Sequence, residues 1–471
     1  MQKRHSKIKI AFVISCLLVP LSAAAGDRYR LSFDECVLLA LKNNDQIRAA
    51  DYDIELSNNK MKEAHPRGIP VVKYEHRLAP VPKDVDNAAG SFFGGDITVF
   101  NSFKMEVGAA ITTFGKIHTA QDLAQLGIDA SWFQRQKTTE DVVFKIYQIY
   151  QGILLARELL DLAQEAEDAI GGKIEEIQKE RVIDQLGILK MKVALFEVQR
   201  KTEEGRKKIQ LGLSALKLQM GLEADVDFDV ASQVLVPARF DLKQFEAYLD
   251  SSRNNRPEYQ LLERGIEAKE KQVKLAKLER APNLGVGGFF DIGRAPGVVG
   301  EDQSTFTNPF NFTKAGIGLQ LKGEFDYVKT NARIKQAKAD LLKTIYQKRT
   351  AVHGLQIDLQ ESYLKIKEAQ NLMQKAEEEK KVARQMVFLT KSNLDIGIGE
   401  RKDYLDALQS YLVFQGRQYE SVYNYNVAVF ELKKKTGELS ETWRRGAPLS
   451  MPHSPLLTRP VAGTKQNCED R

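Results

Sequence analysis

From Asn331 to Leu432 apolar residues recur in alternating steps of three and four: Ile334, Ala337, Leu341 and Ile345, then Val352, Leu355, Leu359, Tyr363 and Ile366. A turn at 394–406 interrupts them, and Leu405, Leu408, Leu412, Tyr419, Val422, Tyr425, Val429 and Leu432 resume the rhythm. A spacing averaging near 3.5 keeps one seam against a partner helix along its whole length, which predicts a coiled helical hairpin. At 1.5 Å per residue the rising arm alone reaches roughly 90 Å, longer than any compact domain. An earlier hairpin has the same pattern. Its rising arm follows Thr113-Phe114-Gly115-Lys116 and carries Val142, Ile146, Ile149, Ile153, Ala156, Leu160 and Ala163. It turns between about Arg181 and Gly187 and returns through Leu189, Val193 and Phe196 to Ile209, Leu213, Leu216 and Met220.

Ahead of each hairpin the period falls to two. Val72, Tyr74, His76 and Leu78 alternate with Lys73, Glu75 and Arg77, and Phe103, Met105, Val107, Ala109 and Ile111 alternate with Lys104, Glu106, Gly108 and Thr112. Farther on, Leu284, Val286, Gly288 and Phe290 share one face, and Ile317, Leu319 and Leu321 oppose Gly318, Gln320 and Lys322. Such alternation suits a barrel strand between lipid and water, and it suits a half-solvated soluble sheet equally well. The connections favour the barrel: Ala79 to Ser102 and Asp291 to Lys314 are long, polar and rich in Gly and Pro, as outer loops of outer-membrane barrels are. Four strands cannot close a barrel, and open edges are not tolerated in lipid, so several chains must share one.

The whole pattern occurs twice. Asp45 and Pro257, and Pro70 and Pro282, are each separated by 212 positions, so the helix ahead of each strand pair has the same length in both copies. The expected organisation is a signal peptide at 1–25, a first repeat at 26–220 and an inter-repeat equatorial segment at 221–253. A second repeat at 254–437 and a partly disordered, Pro-containing tail at 438–471 complete it. Each repeat comprises a helix, two strands and a long helical hairpin.

The amino terminus sets the compartment. Lys3, Arg4, Lys7 and Lys9, the apolar run Ile10–Leu21 and Ala23-Ala24-Ala25 before Gly26 read as a secretory signal peptide. Those four cations account for most of the net charge of +6, and the mature remainder, two charges from neutral, gives no case for nucleic acid. Val13-Ile14-Ser15-Cys16 resembles a lipoprotein processing site, but the apolar stretch runs on to an ordinary cleavage site. Cys36 and Cys468 stand near opposite ends with no motif around them. Cys36 reads as a small apolar residue on a helix face and Cys468 as a solvated tail residue, although an oxidising compartment permits a disulfide. His5, His65, His76, His118, His353 and His453 are scattered, with no metal-ligand spacing and no thiol or carboxylate constellation, so neither an enzyme nor a cofactor is expected.

Taken in order, Leu31-Ser32-Phe33-Asp34-Glu35, the Asn43-Asn44 doublet, Phe114-Gly115-Lys116, Asn255-Arg256-Pro257-Glu258 and Asp403-Tyr404-Leu405-Asp406-Ala407 resemble the TolC-type outer-membrane efflux proteins over nearly all the mature chain. The resemblance implies an α+β membrane protein and a homotrimer in which twelve strands form one β-barrel in outer-membrane lipid of a Gram-negative cell. Below it lie a periplasmic α-helical tunnel and an equatorial collar. It also implies docking onto a periplasmic adaptor and an inner-membrane pump of the RND or ABC type.

By the same resemblance Asp403 and Asp406 match positions whose carboxylates ring the periplasmic aperture, where a charged ring attracts cations and obstructs anions. As residues alone they read equally as solvated acids at a helix start, favourable to its dipole. Gly397 and Gly399 permit the turn. In the first copy Arg181 stands where the family turn has glycine, and Gly187 where it has aspartate, so the two tips are not equivalent. Two alternatives share this body plan: the outer-membrane duct of a type I protein secretion system, and a soluble periplasmic coiled-coil scaffold or adaptor.

Overall fold

The structure, a computed structural model, describes residues 29–64, 70–179, 185–223, 225–298, 310–324 and 326–439. The expected signal peptide, Cys16, Arg181, Cys468 and all but the start of the tail lie outside these residues. In chain order the elements are β1 (Tyr29–Leu31), α1 (Phe33–Asn43), α2 (Asp45–Glu63), β2 (Val71–Pro82), α3 (Ala88–Phe93), β3 (Ile97–Thr112), α4 (Lys116–Gln178) and α5 (Gln185–Met220). There follow β4 (Phe228–Val230), α6 (Phe245–Asn255), α7 (Pro257–Leu278), β5 (Asn283–Arg294), β6 (Phe312–Lys322), α8 (Tyr327–Asp395) and α9 (Arg401–Lys435).

Ser32 starts α1 with a capping box, its hydroxyl accepting from the Glu35 amide while the Glu35 carboxylate accepts from the Ser32 amide at 2.8 Å. The sequence pattern predicts one continuous helix from here to the first strand, but the structure breaks it at Asn44. The Asn44 side chain accepts from the amides of Gln46 and Ile47 to cap α2, and its amide group donates to Gln219 O at 2.8 Å. The second copy breaks at Arg256, 212 positions later, where Pro257 lacks the N–H that an uninterrupted helix would use. Each returning helix ends on a left-handed glycine seated on this break. A Cβ on Gly221 would stand 2.4 Å from Asn43 O, and one on Gly437 2.7 Å from Asn255 C.

Strands β2, β3, β5 and β6 form one antiparallel sheet in that order, leaving β2 and β6 as open edges. The strands run farther outward than the alternation predicts, through Pro80 and Pro82. The Lys83 amide donates to Asp96 O across the β2–β3 ladder, so odd-numbered β2 amides face β3. The two prolines, of opposite parity, fall on the open edge and remove no ladder donor. At the inner end, Phe114 (φ 52) and Gly115 (φ 92) redirect β3 into α4, and Lys116 Nζ donates to Ala281 O at 2.5 Å and to Asn283 Oδ1 at 2.9 Å at the entry to β5. That is what the Phe-Gly-Lys motif does.

The hairpins α4–α5 and α8–α9 form as the 3.5-residue pattern predicts. At 63 and 69 residues, the rising arms α4 and α8 run roughly 95 and 100 Å. The main core lies where α1, α4, α5, β4 and α9 meet, around Cys36, Val37, Ile146, Tyr150, Ile153, Leu216, Met220, Val230 and Val422. Cys36 is fully buried there, and burial pushes its thiol up to about 12, so it packs as a small apolar group. A parallel pair of short strands, β1 with β4, closes this region; three-residue strands leave no periodic signal in the sequence. Helix α6 begins at Phe245, inside the stretch read from the sequence as the connection between copies. Among the described residues no helix is long and apolar enough to cross a membrane.

Candidate functional site: the tip turns and the two faces of the sheet

The α8–α9 turn is held by its own backbone. The Gly397 amide donates to Leu394 O at 3.1 Å, and the Ile398 and Gly399 amides both donate to Asn393 O at 3.0 Å. Gly397 has φ 82, the left-handed value that ends a helix, with open space around it. Gly399 is needed for a different reason, because a Cβ there would lie 2.8 Å from Leu394 N. The residues that follow start α9, and Asp403 and Asp406 both lie exposed on its first two turns. Leu405 and Leu408, between and just beyond them, pack against Ile174, Ile177, Ile188 and Met191 of α4 and α5. The tip of the second hairpin is therefore docked on that of the first, and the acids face away from the shared core.

The first tip differs. Gly187 is the third residue of α5, not part of the turn, and its neighbour Ile188 is buried in the shared tip core. Arg181 lies outside the described residues. The structure thus brings Asp403, Asp406, Gly397 and Gly399 to one end of the molecule, together with the start of α5.

At the other end the sheet separates its side chains by parity. Tyr74, Met105, Phe290 and Ala315 share one face, with Val72, Val107, Gly288 and Ile317 beside them. These are apolar yet left open, Tyr74 at 78% and Ile317 at 90% exposure. Register on the opposite face aligns Glu75, Lys104, Asp291 and Lys314 in one row of alternating charge across all four strands. Within that face Arg77 bonds Glu75 at 2.6 Å and Lys104 bonds Glu106 at 2.7 Å.

Sequence reasoning missed an ionic knot at the α6–α7 break. Buried Arg256 donates to Glu258 at 3.1 Å and to Asp358 at 2.9 Å, and Lys435 bonds Asp358 at 2.8 Å and Glu431 at 3.0 Å. Although burial opposes it, the bonds from Lys435 and Arg256 hold the Asp358 carboxyl below its usual range. Nearby, Glu140 of α4 is 4% exposed and bonded by Gln136 at 3.1 Å. Its burial drives the carboxyl up to about 7, against the Gln136 bond and with the help of the Glu258 charge. The Asn-Arg-Pro-Glu string marked the break itself; the partners Asp358 and Lys435, about 100 and 180 positions away, carry no local signal. No group of three or more His, Cys, Asp or Glu among the described residues is placed to hold a metal.

Comparison with known proteins gives this arrangement a class. Residues 248–438 match the family described as outer membrane efflux protein, which establishes the resemblance on the second repeat. The fold of nearly the whole chain is that of solved outer-membrane channels. The chain resembles the outer-membrane channel OprN with a TM-score of 0.70 at 14% identity, over 87% of this chain and 93% of that one. It resembles the Campylobacter jejuni CmeC outer membrane channel at 0.67 and 17% identity, over 92% and 94%. The Neisseria gonorrhoeae MtrE outer membrane channel, solved in its open state, gives 0.67 and 15% over 86% and 88%. No curated protein sequence matches the chain.

Proposed function

We propose that three copies of this chain form the outer-membrane exit duct of a tripartite efflux system in a Gram-negative envelope, passively conducting what a pump and adaptor deliver. The observation that carries this reading is the four-stranded sheet, apolar on one face, charged on the other and open at both edges. An open edge cannot face lipid and the apolar face cannot stay in water, so both require strands from further copies and a bilayer around them. Three copies give a barrel of twelve strands. The hairpins hang below as the wall of a periplasmic tunnel, and the α1–α4–β1–β4 region and α6 supply an equatorial collar between the repeats.

At the tip, Asp403 and Asp406 of three copies place six carboxylates around the opening, where they favour cations. Exposed on α9 beside the glycine turn, they are also available to the adaptor beneath, with an RND- or ABC-type pump below that. The duct reading predicts heat-modifiable trimers in detergent extracts of outer membranes and discrete conductance steps in planar bilayers. A full-length protein released by osmotic shock as a monomer, forming no pores, would return it to the soluble-scaffold class.

A further inference from the structure

The water side of the sheet carries more positive charge than negative, and the surplus has a definite place. On the face bearing the alternating row, the strands present Lys73, Arg77, Lys104, Lys314 and Lys322 against Glu75, Glu106 and Asp291, an excess of two cations per copy. This face must be the lumenal one, since a Lys or Arg turned to lipid near the bilayer centre costs about 2–4 kcal/mol. The pairs account for most of it. Arg77 bonds Glu75, Lys104 bonds Glu106, and Lys314 stands beside Asp291 in register. That leaves Lys322, the last residue of β6, and Lys73, the third of β2, which shares Glu106, its partner across the ladder, with Lys104. Both stand toward the helical end of the sheet, and both are exposed.

Their strands are the two open edges. The inference rests on the trimeric-duct reading, in which β6 of one copy meets β2 of the next. Each of three seams then brings Lys322 of one copy to the same end of the barrel as Lys73 of its neighbour. Glu106 stands opposite Lys73 and within the field of Lys322, but it also bonds Lys104 at 2.7 Å, and the neighbouring positions Gly108, Gly287, Gly318, Gly285 and Gln320 are small or uncharged, so the surplus of two cations per copy persists at this end. We propose that Lys73 and Lys322 form a ring of six ammonium groups where the tunnel enters the barrel, an anion-favouring section in series with the acidic tip. The duct is then a two-sign conduit: the tip sorts by one charge and the barrel entry by the other. Small anionic solutes and the anionic ends of zwitterions gain residence at this ring, as they do at Lys and Arg rings of anion pores.

The test is the reversal potential of single channels of the full-length protein in planar bilayers under a potassium chloride gradient. The double variant K73Q/K322Q should move it toward the potassium potential, raising the potassium-to-chloride permeability ratio about twofold or more, the effect of unit charges acting over roughly 10 Å of water. K73E/K322E should move it farther in the same direction, and K322Q alone, at a strand end, less. Channels of ordinary conductance whose reversal potential is the same in wild type, K73Q/K322Q and K73E/K322E would overturn the ring while leaving the duct standing. A wild-type protein that forms no channels would overturn the duct and the ring together.

Discussion

Helices α4 and α8 begin as the same object, a rising arm with apolar residues every 3.5 positions, and end differently. In α4, 18 of 63 residues are buried, and it leaves no large apolar side chain exposed among the described residues. In α8 only seven of 69 are buried, while Tyr346, Ile357, Val382 and Phe388 stand more than 60% exposed. The cause is who surrounds each helix. Helix α4 is packed by α2, α5, α7 and α9 of its own chain, whereas α8 has chiefly its return helix α9 and the neighbouring α7. A coiled-coil period states that a helix wants a partner. It does not state whether that partner belongs to the same chain, and the exposed half of α8 is the face a second copy would cover in the trimer proposed above.

The largest expected effect tests this contrast directly. Ile146 on α4 is fully buried and Ile357 on α8 is 66% exposed. Ile146→Ala should destabilise the protomer by about 2–5 kcal/mol in denaturant unfolding. Ile357→Ala should change the protomer by no more than about 0.5 kcal/mol, yet reduce the fraction of SDS-resistant trimers. Equal losses of protomer stability in the two variants would mean that the two arms are not differently partnered.

A smaller effect concerns the cost of burying so much of α4. Glu140 keeps its proton to about pH 7 when folded and to about 4.5 when unfolded, so the folded state binds more protons between those values. Its contribution is therefore fully favourable below pH 4.5 and is lost as pH rises through 7. Glu140→Gln, which keeps the Gln136 neighbour and removes the charge, should raise the melting temperature at pH 8 and flatten the stability curve between pH 4.5 and 7, by up to about 3 kcal/mol. An unchanged slope over that window would show that α4 does not hold this carboxyl dry.

The smallest expected effect on stability, with the clearest effect on function, falls at the tips, where the second hairpin carries acids and the first does not. Asp403→Asn with Asp406→Asn should leave unfolding within about 0.5 kcal/mol of wild type, as for exposed residues away from the core. It should also lower cation preference in single-channel recordings. Selectivity unaltered by both substitutions would remove these acids from the aperture.

Much of this molecule was legible in advance because its elements are long and strictly periodic. The two hairpins, the four long strands and the duplication at 212 positions follow from spacing alone. In the sequence the break at Asn44 reads through as one continuous helix, and Asn255-Arg256-Pro257-Glu258 as leading into the helix of the second copy, since one Asn or Pro does not say whether a helix bends, starts again or stops. The strand ends were read too short because Pro80 and Pro82 look like loop residues until the ladder's parity puts their missing donors on an open edge. The tip acids and turn glycines were visible as residues. The docking of Leu405 and Leu408 into the first tip, which decides the direction in which those acids face, was not.

By itself, the sequence determined the kind of element at each position, since hydrophobic period is a local property that any stretch expresses before it has met a partner. Only the tertiary structure decided which cations neutralise which carboxylates, which arm is enclosed and which is left open, and where the residual charge on the sheet resides. Those depend on distances between residues far apart in the chain, such as Arg256 to Asp358 and Lys104 to Asp291, and a Coulomb or packing term exists only once that distance is fixed.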